Sequence, residues 1–352
     1  MNRILRELPA LMLLFPVLLV SIPAGGHGQV LDRSVARVRL TETASIGQRA
    51  LRSQVELYEQ QSGQEISSEQ RREILEIMIN EELIEQAAER DGVSISDDEL
   101  DRYIGQERRS LGRQMSDEQF RLLVEQELGL EYEDYREELR KQLLQQQYIQ
   151  QSQRDRFENL EEPSEEEIRS VYNENVSEFI NPSMVRFSHI YVDARSLDDS
   201  EREDATEDIE ELWDRMNDDE LSFEQALEEA EDNSALGASD FGYLPQNDRQ
   251  LRGQLGADFV DNLFDLEEGD VEGVLESQIG LHVVQVTDTR DRRFLNLDDP
   301  LAPGQSVTVR DNIRNYILNN RMQQEFSEAT EEVLSELRDE AEIDVNESNL
   351  DW

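Results

Sequence analysis

The apolar positions of this chain change period twice. From Ser67 to Tyr172 they recur at three- and four-residue intervals, the spacing that gathers them on one face of a helix. The starts of these helices are legible. Ser67 with Gln70 makes a capping-box pattern ahead of Ile74, Ile77, Met78, Leu83, Ile84 and Ala87, and Gly92 ends that run. Ser96 with Glu99 precedes Leu100, Tyr103 and Ile104; Ser116 with Gln119 precedes Phe120, Leu123 and Leu128. A long helix is expected from Tyr132 to Phe157, with Tyr135, Leu139, Leu143 and Tyr148 on its apolar side. Ser164 with Glu167 opens a short one carrying Ile168, Val171 and Tyr172, between Pro163 and Pro182. Ahead of all these, Val35 to Leu40 reads as a short strand.

At Val185 the period becomes that of a strand. Val185 to Val192 is rich in β-branched and aromatic residues, as is Leu281 to Val286. Between them lie an acidic helix (Asp198 to Asn217) with Ile209, Leu212, Trp213 and Met216 as its buried stripe, and a shorter one opened by Ser222 and Gln225. A loop containing Asp232, Gly237, Asp240 and Gly242 follows, then a helix with Phe259, Leu263 and Phe264. Val274-Leu275 and Leu281 to Val286 form a hairpin around Gln278-Ile279-Gly280. Beyond Pro300 and Pro303 a last long helix is expected from Thr308 to Ala341, with a final short strand at Ile343 to Val345. One long amphipathic helix cannot bury its stripe alone. Its expected partner is the N-terminal helical segment, reached through Ile313, Ile317 and Leu334. The fold class is therefore α+β: a helical module (29–180) completed by a linker and C-terminal helix (291–352), with an α+β domain (181–290) inserted between.

Residues 1–28 have the form of an export signal. Arg3 and Arg6 precede an apolar run, Leu11 to Val20, and Ile22 to Gly25 give a small-residue exit. The mature chain is expected to begin between Ala24 and Val30, with no stable membrane insertion after cleavage; a retained anchor is the alternative. The 352 residues carry 82 acidic and 34 basic side chains, a formal net charge of −48, and Lys141 is the only lysine. Nucleic acid is excluded as a partner, because phosphate binding needs clustered cations. A dense negative surface suits a protein that stays soluble while handling sticky material; a salty habitat would also tolerate it. With no cysteine, disulfides, thiolate chemistry and Cys-based zinc sites are excluded.

Of three histidines, His27 adjoins the export segment, so the globular part keeps His189 and His282, one on each of the two apolar strands. A neutral imidazole donates from one nitrogen and accepts at the other, so two such rings on neighbouring strands can hold each other in fixed tautomers. Two unrelated core histidines are the plainer reading. A metal site from His189, His282 and Asp232 is the remaining alternative, against the three or four spaced donors that zinc favours.

The order of motifs decides between them. Val185-Arg186-Phe187-Ser188-His189-Ile190 resembles the opening strand of parvulin-type peptidyl-prolyl isomerases. Glu231 to Gly242 resembles their loop ending Gly-Gly-Asp-Leu-Gly, Gly269-Asp270-Val271 their Gly-Glu-Val/Ile turn, and Gly280-Leu281-His282-Val283-Val284 their closing Gly-x-His-Ile-Ile strand. The flanking helices, signal and last helix resemble the SurA-like family of exported chaperones, here with a single parvulin copy. The resemblance implies a catalytic set of His189, Asp232 and His282, a proline-ring pocket of Phe241, Leu255 and Phe259, and a hydroxyl at Ser277 bonded to the histidines. Ala238-Ser239 departs from the usual Gly-Gly, Ala230 from a common Ser, and Leu255 from a common Met. It further implies isomerisation of X–Pro bonds in unfolded or nascent exported polypeptides, no cofactor, no metal, and a periplasmic or cell-envelope location. The alternatives are a holdase whose parvulin domain only binds peptides, and a purely structural envelope protein.

Overall fold

The computed structural model describes residues 32–111, 115–195, 197–233 and 235–352. The export segment and its cleavage region, with His27, lie outside the described residues, as does Ser234. The chain divides into two units, Pro163–Ile317 and a second made of the described residues up to Glu162 together with Leu318–Trp352.

The second unit is mainly helical. Strands β1 (Ser34–Arg39) and β2 (Thr43–Gly47) lead into α1 (Gln48–Ser62), α2 (Ser68–Asp91), α3 (Asp97–Ser110), α4 (Asp117–Leu128), α5 (Tyr132–Ser152) and the short α6 (Arg154–Glu158). The Ser67, Ser96 and Ser116 capping boxes are all formed, each serine accepting the N3 backbone N–H while the N3 side chain returns to the serine N–H. Two orphan donors are satisfied at each helix start, so the helices begin where the sequence places them. The single helix expected from Tyr132 to Phe157 is broken at Gln153, whose φ of −112° leaves the helical region. Val35, Val38, Leu51, Leu75, Ile79, Leu83 and Ala87 form the core with Ala329, Val333 and Leu337 from the end of the last helix. A smaller cluster of Leu100, Ile104, Phe120, Val124, Tyr135 and Leu139 joins α3, α4 and α5.

The unit Pro163–Ile317 contains α7 (Glu165–Glu174), a two-residue pair β3 (Ile180–Asn181) and β8 (Arg293–Phe294), and a sheet of β4 (Met184–Asp193), β5 (Gly237–Pro245), β6 (Val271–Glu276) and β7 (Gly280–Arg290). The four strands run antiparallel in the order β5-β4-β7-β6. Helices α8 (Asp199–Asn217) and α9 (Phe223–Asp232) cover one face through Ile190, Val192 and Val283 packed on Ile209, Leu212, Phe223 and Ala226. Helices α10 (Arg249–Leu255) and α11 (Ala257–Asp265) pack on the other, where Phe187, Val284 and Val286 meet Leu255, Phe259, Val260 and Leu263. The alternation of strand side chains thus feeds two separate cores.

β2, α1 and the β3–β8 pair are additional to the sequence reading, and two further elements differ from it. Gly237–Pro245 is not loop but the edge strand β5. Its Gly, Asp and Pro residues have poor strand propensity, and only pairing with β4 makes it a strand. Helix α10 had no apolar period to reveal it and is capped by Asp248, whose carboxylate accepts the N–H groups of Gln250 and Leu251.

The last helix, α12 (Val309–Glu340), is followed by β9 (Glu342–Val345). Its stripe is split. Val309, Ile313 and Ile317 pack with Ile168 of α7, Phe179 and Leu295, whereas Ala329, Val333, Leu334 and Leu337 join the core of β1, α1 and α2. Strand β9 pairs antiparallel with β1, Val38 opposite Ile343.

Candidate functional site

Strand periodicity sets the site's first layer. Phe187, His189 and Tyr191 alternate onto one face of β4. Across the ladder to β7, Phe187 lies opposite Val286, His189 opposite Val284 and Tyr191 opposite His282. The two histidines are therefore diagonal neighbours on one face, within reach of each other's rings. Their planes lie 8° apart with centroids 5.2 Å apart, and the two Nδ1 atoms are 3.1 Å apart. His189 is 5% exposed and His282 fully buried.

Each outer nitrogen meets a serine. His189 Nε2 is 2.9 Å from Ser239 Oγ on β5, the residue directly opposite it in the β4–β5 register. His282 Nε2 is 2.7 Å from Ser277 Oγ in the β6–β7 turn. That turn is tight. A Cβ on Gly280 would fall 1.8 Å from the Val192 carbonyl oxygen, and its φ of +152° is one that side chains rarely adopt. Glycine at this point lets β7 begin against β4 with His282 two residues on.

Aromatic rings wall the pair. Tyr191 stacks on His189 at 4.6 Å, and the ring fits because Gly237 faces it; a Cβ there would sit 2.5 Å from Tyr191 Cζ. Phe259 from α11 tilts against His282 at 4.7 Å. Phe241 stacks on Phe187 at 4.7 Å and stands edge-on to His189 at 5.8 Å. Phe241 is the extra residue of a bulge, since Phe187 pairs with Gly242 and Ser188 with Asp240; bulges re-aim side chains in this way. Leu255 and Phe259 are buried in the same cluster, with Phe241 packed on its margin.

Burial governs the charge state. Loss of water pushes His189 down to about 4. Burial and then the neighbouring His189 push His282 down to about 3, against a smaller opposing pull from Asp193. Both rings are neutral at neutral pH, and all four ring nitrogens lie within hydrogen-bond distance of a partner in the network. Among the described residues no group of three or more His, Cys, Asp or Glu is arranged to hold a metal ion.

Of the seven residues singled out in the sequence, His189, His282, Ser277, Phe241, Leu255 and Phe259 gather on this face of the sheet. Asp232 does not join them through any hydrogen bond among the described residues; it is the exposed last residue of α9. Ser239 and Tyr191 are the members the sequence reading passed over. Tyr191 was detectable as the period-two neighbour of His189, and Ser239 stood among the departures from the parvulin pattern.

A family model described as the PPIC-type PPIASE domain matches residues 163–299, and a SurA-like N-terminal domain model matches residues 5–149. The chain has a SurA-like fold carrying a PPIC-type isomerase domain. Among curated relatives, chaperone SurA of Alkalilimnicola ehrlichii is 29% identical over 222 residues, 62% of this chain and 48% of that protein. Chaperone SurA of Nitrosococcus oceani is 26% identical over 271 residues, 73% of this chain and 60% of that protein. The chain thus spans only about half to three-fifths of the length of these SurA relatives. A solved SurA-like chaperone of Campylobacter jejuni is 14% identical, with 89% of this chain and 99% of that one covered and a TM-score of 0.34. The PPIC-type match starts at 163 and so takes in α7, as the compact unit Pro163–Ile317 does. No described helix is long and apolar enough to cross a membrane.

Proposed function

We propose that the chain is an exported peptidyl-prolyl cis-trans isomerase and chaperone that acts on unfolded secreted or outer-membrane polypeptides in the periplasm or cell envelope. The observation that carries this reading is the neutral, hydrogen-bonded imidazole pair set among Phe187, Phe241 and Phe259. Turning a peptide bond meets a barrier of ~18–20 kcal/mol from amide resonance, and X–Pro bonds interconvert over tens to hundreds of seconds unaided. No covalent bond need break. A proline ring seated against Phe241, Leu255 and Phe259 takes its amide out of water, which weakens the dipolar resonance form and lowers the rotation barrier. Each 1.36 kcal/mol of preferential binding to the twisted amide gives about tenfold in rate. Uncharged imidazoles suit this role, because they line the pocket without an ion that must be solvated. His189 and His282 shape and polarise the floor; Asp232 is assigned to the substrate carbonyl, where its charge would disfavour negative charge on oxygen.

A non-catalytic holdase is the second reading, favoured by the exposed position of Asp232 and the absence of any hydrogen bond from it to the imidazole pair among the described residues. The test is proline-limited refolding of a model protein by the full chain, alongside suppression of aggregation. Asp232→Ala is expected to stay folded, to slow isomerisation measurably and to leave aggregation suppression unchanged. Unchanged isomerisation removes Asp232 from the site. No isomerisation by the unmutated chain supports the holdase.

A further inference from the structure

The hydrogen bonds through the imidazole pair have a direction. Ser277 Oγ accepts the backbone N–H groups of Ile279 at 3.1 Å and Gly280 at 3.2 Å. A hydroxyl has two lone pairs and one proton. With both lone pairs taken, the Ser277 proton goes to His282 Nε2, 2.7 Å away. A neutral imidazole that accepts at Nε2 carries its hydrogen on Nδ1, so His282 Nδ1–H donates to His189 Nδ1. His189 then carries its hydrogen on Nε2 and donates to Ser239 Oγ. The opposite direction would aim three donors at Ser277 Oγ and leave its own hydrogen without an acceptor.

The chain of donors therefore ends on Ser239 as an acceptor, and the Ser239 hydroxyl hydrogen is spent on nothing within it. Ser239 is exposed on the edge strand β5. Phe241, on the same face two residues along, forms part of the aromatic wall. Among the described residues, the Ser239 hydroxyl has no hydrogen-bond partner other than His189. A hydroxyl that accepts from a buried neutral ring is polarised toward donating outward, since bonds in such chains strengthen one another.

We propose that Ser239 contacts the ligand, donating its hydroxyl hydrogen to a backbone carbonyl oxygen of a prolyl peptide held against Phe241 and Phe259. The proposal rests on the isomerase reading of the same site. A neutral donor to main-chain carbonyl recognises peptide as such and not a particular side chain, which fits clients of varied sequence. It also turns the departure from Gly-Gly at Ala238-Ser239 into a gained contact.

The test uses the full chain with 15N-histidine, which has three imidazoles to assign, and a short uncharged peptide containing one Ala-Pro bond. Long-range 1H–15N spectra should show His282 protonated on Nδ1 and His189 on Nε2. Ser239→Ala should weaken peptide binding roughly three- to tenfold, the range of one net hydrogen bond, and Ser239→Thr should restore most of it. Protonation of His282 on Nε2 would overturn the direction, and wild-type affinity in Ser239→Ala would overturn the contact. Refolding assays run in parallel separate this proposal from the functional reading. Ser239-dependent binding without turnover keeps the contact and removes the isomerase; turnover with affinity and rate unchanged in Ser239→Ala removes the contact alone.

Discussion

At the residue scale, the behaviour of the site follows from burying two imidazoles, with Asp193 offsetting only a smaller part of the effect at His282. An ordinary histidine titrates near 6.5, and burial holds His189 at about 4 and His282 at about 3. The unfolded chain therefore binds protons at these residues between pH 6.5 and 3 that the native site refuses. Stability rises with pH wherever the unfolded state binds more protons. The pair's contribution is fully present above pH 6.5 and declines as pH falls toward the native values. We expect the imidazole 15N signals of His189 and His282 to stay neutral from pH 7 down to about 5, while the urea midpoint of this unit falls over the same range. Titration of either ring above pH 6 would contradict the account. The residues around the pair were legible to different degrees. His189, His282 and Ser277 lie in strand and turn motifs that the sequence displays. Ser239 acquires its role only from standing opposite His189 in the β4–β5 ladder.

At the scale of elements, α12 is the informative case. Its apolar stripe predicted a buried face, and the face is buried, but over two clusters. Ile313 is fully buried with Ile168, Phe179 and Leu295, and Leu337 is 3% exposed in the core of β1, α1 and α2. Truncating a buried Leu or Ile to Ala removes about 2–5 kcal/mol. Ile313→Ala should therefore speed hydrogen exchange in α7 and around Leu295, and Leu337→Ala should do so in β1 and α1. Exchange rising in the same segments for both variants would mean the two clusters open as one. Periodicity states that a stripe is covered and does not name what covers it, which is why this partition was invisible in the sequence.

For the whole molecule the dominant physical fact is a formal charge of −48. Arginines offset part of it locally, as where Arg156 faces Glu325, Glu328 and Glu332, but exposed ion pairs are worth only about 0–1 kcal/mol each. Self-repulsion of the remaining carboxylates opposes the compact state. Salt shortens the screening length from ~10 Å at 0.1 M to ~3 Å at 1 M. The thermal midpoint of the full chain is therefore expected to rise over that range, read by circular dichroism. A falling midpoint would show that the arginine–carboxylate pairs outweigh the repulsion. The same charge is expected to oppose self-association through exposed apolar residues such as Leu122 and Leu128, a useful property for the chaperone role proposed.

By itself the sequence determined where the helices opened by Ser67, Ser96, Ser116, Ser164 and Ser222 begin, because each capping box places donor and acceptor three residues apart. It also determined that the two histidines share an apolar strand environment, because period-two alternation is local. Tertiary structure alone decided that Gly237–Pro245 is a strand, that Phe241 is turned inward by a bulge, and that β9 pairs with β1 across almost the whole chain length. Each of these depends on a hydrogen-bonding partner distant in sequence, and no local propensity encodes which partner will be there. The direction of the Ser277–His282–His189–Ser239 chain belongs to the same class. It follows from counting lone pairs around one hydroxyl, and that count exists only once the turn at Gly280 has brought two backbone N–H groups to Ser277.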